Sequence, residues 1–208
     1  MTPSARAIAI LGDSITDGRG STTNGNDRWP DKLAERLQAD AARKNIAVLN
    51  LGIGGNKLVG PNGLGPTGLA RFQTQILDQA GVRWVVVLEG VNDIGGGTVA
   101  ADITGAYQQI IDQAHAAGLL IYGIPILPFA GNVDYDKDDN QTDRTTVNEF
   151  IRAPGNFDAY LPLDEAVSDG QTVPGIPTDL DFQDDRLHLN PSGLAALANA
   201  IDLALFTP

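Results

Sequence analysis

Ser14 lies in Leu11-Gly12-Asp13-Ser14-Ile15-Thr16, directly after the apolar run Ala7-Ile8-Ala9-Ile10-Leu11. A serine hydroxyl is a weak nucleophile and needs a neighbouring base. The chain has two histidines, His115 and His188, so the choice of base is narrow. His188 closes Asp185-Arg186-Leu187-His188. The Asp-x-x-His spacing fits one helical turn or a tight loop. It can set a carboxylate beside the imidazole, fixing the ring and stabilising the imidazolium that forms when serine gives up its proton. Asp184 is a rival orienter by adjacency, and Asp181 a weaker one. His115 falls near the end of a long helical stretch, before Gly118. A cation is favourable there, so it reads as a solvated helix-end residue. A lone loop serine is more often a turn or cap residue, and Asp-x-x-His alone is a weak signal.

Acyl transfer also needs hydrogen-bond donors for a developing oxyanion. Two stretches offer them. Asn50-Leu51-Gly52-Ile53-Gly54-Gly55-Asn56 has glycines that let backbone amides approach a substrate closely. Gly90-Val91-Asn92-Asp93 presents a side-chain amide. Each is also what an ordinary strand-to-helix turn looks like. Asp13 and Asp93 read as carboxylates that anchor loops.

The elements that must position these residues alternate. Residues 7–11, 47–51, 84–88, 119–124 and 157–161 read as strands. The run Trp-Val-Val-Val-Leu at 84–88 is typical of a strand buried on both faces. Residues 29–44, 69–79, 99–117, 142–152 and 191–206 read as helices, with Leu33, Ala34, Leu37 and Ala41 at helical spacing. Pro30 and Pro191 suit first turns. Alternating strands and helices predict a parallel sheet with helices on both faces. The Gly-, Asn- and Thr-rich loops at 19–27, 52–68 and 95–98 then gather at the carboxyl edge of the sheet, where open α/β sheets bind ligands.

Bulk composition narrows the classes. A chain of 208 residues with 42% hydrophobic content predicts one globular domain, 1–208. A net charge of −12 argues against nucleic-acid partners and against anionic membrane surfaces. No apolar stretch approaches the roughly 20 residues of a membrane span, so no stable membrane insertion is expected. With no cysteine, disulfides, a thiolate nucleophile and zinc–thiolate sites are excluded. No signal peptide is visible at the start. A cytoplasmic protein and a secreted or periplasmic mature form fit equally well, and oligomeric state is open.

Ser14, Gly55, Asn92 and the Asp185/His188 pair come in this order, each after an expected strand or before the last helix. Block by block the chain resembles the SGNH hydrolase superfamily, the GDSL esterases and lipases. Gly12-Asp13-Ser14-Ile15-Thr16 resembles its first block, with Ile where the family name has Leu. Residues 50–55 resemble the second block, in which a glycine five residues after an asparagine gives an oxyanion amide. Gly90-Val91-Asn92-Asp93 resembles the Gly-x-Asn-Asp block, and Asp185-Arg186-Leu187-His188 the Asp-x-x-His block. The resemblance runs from residue 7 to 206. It implies a three-layer α/β/α sandwich around a flavodoxin-like parallel sheet of about five strands. It also implies Ser14 as nucleophile, His188 as base and Asp185 as its orienter. The oxyanion hole would be formed by the Ser14 and Gly55 amides and the Asn92 side chain. A slip of one residue would put Gly54 in place of Gly55. No metal or organic cofactor is implied.

The implied reaction is hydrolysis of short acyl esters through an acyl-enzyme on Ser14, with acetylated carbohydrate as one candidate substrate. Lysophospholipase, lipase-type and acyltransferase chemistry are alternatives on the same residues. A catalytically silent ligand-binding module is the alternative of a different class. Dinucleotide binding fails because a Gly-x-Gly-x-x-Gly pattern opening at Gly52 needs glycine where the chain has Lys57. An α/β-hydrolase elbow fails because Thr16 stands where it needs glycine. Residues 134–140 look like an EF-hand loop, but Asp139 and Thr145 occupy the glycine and glutamate positions, so they read as a solvated acidic loop. The rim loops at 19–26 and 61–65 are polar, favouring short acyl groups. Leu58, Val59, Leu64, Ile94, Phe129 and Leu187 are candidates to line an acyl pocket.

Overall fold

Five strands pair in parallel in the order β2-β1-β3-β4-β5. They are β1 (Arg6–Gly12), β2 (Ile46–Gly52), β3 (Val82–Leu88), β4 (Leu120–Gly123) and β5 (Ala159–Tyr160). The computed structural model describes residues 6–207. The reading of the first residues as lacking a leader falls on 1–5 and lies outside the described residues. Strand order reverses between β1 and β3, and ligand crevices form at such switch points.

Side chains of a strand alternate between faces, and here both faces are covered. Ala7, Ala9, Leu11, Val85, Val87 and Ile121 pack on one side. They meet α3 (Gly68–Phe72), α5 (Ala100–Ala116) and α6 (Asp138–Arg152) through Phe72, Ile103, Ile110 and Val147. Ile8, Ile10, Trp84, Val86, Leu88 and Tyr122 pack on the other. There α2 (Trp29–Ala39) and α8 (Pro191–Ala200) supply Trp29, Leu33, Leu37, Leu194 and Leu197. The result is the α/β/α sandwich expected. Three short helices complete it: α1 (Ser14–Asp17), α4 (Val91–Gly95) and α7 (Leu163–Ala166).

Several boundaries differ from expectation. The helix expected over 69–79 is α3 followed by a π-helical turn, Gln73–Leu77. The helix expected over 29–44 stops at Ala39, where Asp40 turns extended and uses its carboxylate to hold the Ala42 N–H. That over 191–206 stops at Ala200, and a 3-10 turn, Leu203–Leu205, follows. That over 142–152 starts earlier, at Asp138. Asp138 and Asp139 lie in its first turn, where acidic side chains complement the helix dipole.

The first two strands end in glycine because α1 lies on top of them. A Cβ on Gly12 would meet Thr16 Oγ1 at 2.2 Å, and one on Gly52 would meet the Asp17 nitrogen at 2.2 Å. The second contact is backbone and has no easy escape. We expect Gly52→Ala to force α1 off the strand ends and lower stability by about 1–3 kcal/mol, read from the midpoint of urea denaturation. An unchanged midpoint would contradict the close approach.

Candidate active site

Ser14 opens α1 at the carboxyl end of β1. Asp13 caps that short helix by accepting the Ile15 N–H at 2.9 Å. Asn50 Nδ2 holds the Thr16 carbonyl at 2.8 Å, and Trp29 Nε1 donates to Thr16 Oγ1 at 3.3 Å. The turn bearing Ser14 is therefore pinned on three sides.

His188 comes from a loop 174 residues away, and its Nε2 stands 2.9 Å from Ser14 Oγ. Its other ring nitrogen, Nδ1, is 2.7 Å from Asp185 Oδ2. Asp185 Oδ1 accepts the N–H groups of Leu187 at 2.9 Å and His188 at 2.8 Å, so the carboxylate is fixed by its own loop. The rivals are turned away: Asp184 pairs with Arg186 at 2.5 Å, and Asp181 pairs with Arg186 at 3.3 Å. Gln183, Asp184 and Arg186 all have positive φ, between 57° and 62°. Downstream, Asn190 caps α8 through the Ser192 and Gly193 N–H groups, and Pro191 starts that helix. His115 sits at the distant end of α5, half exposed, 3.1 Å from Asp158.

Burial holds the His188 imidazole below its usual 6.5, against the opposing pull of Asp185. Burial also opposes ionisation of Asp185. The His188 N–H, the imidazole and the Leu187 N–H outweigh it and keep that carboxyl below its ordinary range. At neutral pH the pair is a neutral imidazole against a carboxylate.

The loop after β2 turns at 53–56, closed by Asn56 N–H to the Ile53 carbonyl at 3.0 Å, with Gly55 at φ 69°. Neither Gly54 nor Gly55 gives its N–H to a backbone acceptor among the described residues, and both line the same cleft as Ser14. Asn92 donates through Nδ2 to the Asn56 carbonyl at 2.8 Å and accepts the Tyr135 hydroxyl on Oδ1 at 2.8 Å. An amide nitrogen has two hydrogens, so one stays free for the cleft. Asp93 anchors the neighbouring loop by accepting the N–H groups of Leu58, Val59 and Gly60 at 2.7–3.0 Å.

The cleft has a volume of about 610 Å³. Of the six apolar residues expected to line it, Leu64 and Leu187 do. Leu58, Ile94 and Phe129 are fully buried in the core, and Val59 lines a separate cavity. Arg19, Arg28, Asp17 and Ser21 make the remaining rim polar. Among the described residues no three His, Asp or Glu side chains are grouped as ion ligands. Within the 134–140 stretch, Tyr135 faces the cleft.

Beneath the site lies a buried polar cluster that sequence reading missed. The Arg71 guanidinium, 2% exposed, donates to the carbonyls of Gly12 at 3.0 Å and Leu51 at 2.6 Å, to Asn56 Oδ1 at 3.0 Å and to Glu89 at 3.1 Å. Glu89 is a charged residue directly after the buried apolar run Trp84–Leu88, and that was the available signal. Tyr135 gave no such signal; in the fold a Cβ on Gly95 would strike its ring at 2.4 Å, so that glycine makes room for it. Burial drives the Asp13 carboxyl up to about 7 despite the Ile15 N–H, with Asp93 adding repulsion. Burial and Asp13 likewise raise Glu89 well above the carboxylate range. Asp13 Oδ2 and Glu89 Oε2 have no hydrogen-bond partner among the described residues.

The profile of the GDSL-like Lipase/Acylhydrolase family matches residues 10–196. The chain belongs to that family and is by class a hydrolase. Solved structures carry the same fold at low sequence identity. A GDSL-like lipase from Bacteroides thetaiotaomicron is 18% identical, with a TM-score of 0.70 over 97% of this chain and 88% of that one. The aryl esterase of M. smegmatis is 16% identical, with a TM-score of 0.72 over 94% and 96%. An acetyl xylan esterase is 21% identical, with a TM-score of 0.70 over 93% and 96%. Among curated proteins none matches significantly. No helix among the described residues is long and apolar enough to cross a membrane.

The buried carboxyls set a pH dependence of stability. Asp13 ionises near 3.8 in the unfolded chain and near 7 in the fold. Between these values the folded protein keeps a proton that the unfolded chain has released. The stabilisation is therefore complete below pH 3.8 and is lost as pH rises towards 7. We expect Asp13→Asn to flatten the fall in unfolding free energy between pH 4.5 and 7, by up to about 1.4 kcal/mol per pH unit. Urea denaturation of both proteins measures it; parallel pH profiles would refute it.

Proposed function

We propose that the protein is a serine carboxylesterase that cleaves short-chain acyl esters through an acyl-enzyme on Ser14. The observation that carries this reading is the line Ser14 Oγ, His188, Asp185, with links of 2.9 Å and 2.7 Å, at the wall of an open cleft. Ser14 Oγ attacks the ester carbonyl carbon while His188 Nε2 takes its proton. Asp185 holds Nδ1–H and stabilises the imidazolium. The tetrahedral oxyanion lies among the Ser14 N–H, the Gly55 N–H and the free hydrogen of Asn92 Nδ2. The first N–H groups of a helix lack intrahelical acceptors, which leaves the Ser14 amide available. We assign the second donor to Gly55 over Gly54. The intermediate collapses, His188 returns the proton to the leaving alcohol, and water repeats the sequence on the acyl-enzyme.

Short acyl groups are favoured because Leu64 and Leu187 are the only Leu, Ile, Val or Phe side chains lining the cleft among the described residues. A long chain would need a continuous apolar groove. The structural likeness to a protein titled acetyl xylan esterase is consistent with acetylated carbohydrate as substrate.

We expect hydrolysis of p-nitrophenyl acetate and butyrate, lost in Ser14→Ala and reduced about 10²–10³-fold in Asn92→Ala. Activity that survives in Ser14→Ala would refute the assignment. Because His188 titrates below 6.5, kcat/KM should hold as pH falls to 6.5 and decline only below it. In a p-nitrophenyl ester series the rate should peak at butyrate or shorter; a peak at long chains would overturn the short-acyl reading.

A further inference from the structure

A second polar cavity of about 420 Å³ adjoins the cleft. Its walls carry Ser21, Thr22, Thr23, Asn24, Asn26 and Arg28. Gly18, Ser21 and Arg28 line both spaces, so the two are joined. We propose that this cavity is the subsite for the alcohol part of the ester, and that it takes a polyhydroxylated alcohol carrying a negative charge, a sugar with a carboxylate or phosphate. The proposal rests on the reading of Ser14 and His188 given above.

Three observations carry it. The first is placement. The 18–28 loop belongs to the histidine side of the site: Gly20, at φ 90°, sits where a Cβ would lie 2.1 Å from the Leu189 carbonyl, next to His188. Arg19 Nε is 4.0 Å from Asp185 Oδ2. His188 must protonate the departing alcohol, so the alcohol leaves towards this loop, while Gly55 and Asn92 hold the carbonyl oxygen.

The second is construction. Thr22 N–H is fixed to Asp27 Oδ1 at 2.9 Å and Gly25 N–H to the Thr22 carbonyl at 2.8 Å. Ser21 Oγ donates to the Gly18 carbonyl at 2.5 Å. Asn24 and Asn26 adopt left-handed backbone, φ 59° and 48°, which asparagine tolerates better than most residues. The cavity is thus preformed, and its hydroxyls and amides both donate and accept, as sugar hydroxyls require.

The third is charge. Arg28 lies across Gly18, whose missing Cβ would meet its Cγ at 2.6 Å. Its backbone N–H goes to Asp31, but its guanidinium makes no ion pair among the described residues. Arg28 is the one basic side chain that lines both joined spaces among the described residues. The carboxylate on the cleft wall, Asp17, lies on the side of Gly54, 3.4 Å from where its Cβ would be.

The test is calorimetric titration of the whole protein with glucuronate, glucose 6-phosphate, glucose and inorganic phosphate. At least one charged sugar should bind about tenfold tighter than glucose, the effect of one charge-assisted hydrogen bond. Arg28→Gln should bring it within twofold of glucose. The tighter of the two charged sugars identifies carboxylate or phosphate as the charge. Equal binding of charged and neutral sugars, a preference that survives Arg28→Gln, or inorganic phosphate binding as tightly as the sugars would overturn the proposal. A parallel p-nitrophenyl acetate assay separates the two readings. Turnover without charged-sugar preference sinks the subsite and leaves the esterase, whereas Arg28-dependent binding without turnover does the reverse.

Discussion

The guanidinium of Arg71 ties together the ends of the three strands that build the site. It holds the last carbonyl of β1, a carbonyl near the end of β2 and the carboxyl group just beyond β3, and it reaches Asn56 in the loop between. A buried ion pair seldom adds net stability over a packed apolar pair, because both charges must be stripped of water. Here its effect is positional. Ser14, the 53–56 turn and Asn92 each leave from a strand end that Arg71 touches or neighbours, so one side chain sets their mutual distances. The same guanidinium pairs with Glu89 and draws on the charge of Asp13, whose carboxyl burial pushes up to about 7.

Above that layer, each element of the site is held by a residue from a different loop. Asp93, following β3, fixes the loop that follows β2. Asn92 is steered by Tyr135 from the segment before α6, and Asn132 of that segment holds the Asp185 carbonyl at 2.6 Å. Hydrogen-bond donors aimed in advance at the place where charge develops avoid reorganisation during reaction. These cross-links interlock the loops around the cleft.

The layered fold could be read from the alternation of apolar runs with helical spacing, because a parallel sheet covered on both faces leaves its strands almost wholly apolar. Ser14, Asn92 and the Asp185–His188 segment stood out through their places at strand ends or before the final helix; Ser14, Asn92 and His188 line one cleft, and Asp185 stands behind the imidazole. Helix ends were less legible, since they turn on local caps such as Asp40 and the acidic pair at 138–139. Arg71, Glu89 and Tyr135 were hidden because their partners are distant in sequence. Leu58, Ile94 and Phe129 have the right chemistry for an acyl pocket, but the core claims them. Hydrophobicity alone does not tell a residue lining a cleft from one packed behind it.

The loop that carries His188 holds three departures from ordinary backbone within four residues, at Gln183, Asp184 and Arg186, none of them glycine. Each left-handed residue of this kind costs roughly 1–2 kcal/mol relative to the right-handed form. Glycine would relieve that strain at all three positions, yet it would also free the segment that aims the imidazole. Side chains at these positions leave the segment fewer alternative conformations than glycine would, so the backbone strain and the fixed direction of the imidazole come from the same three residues.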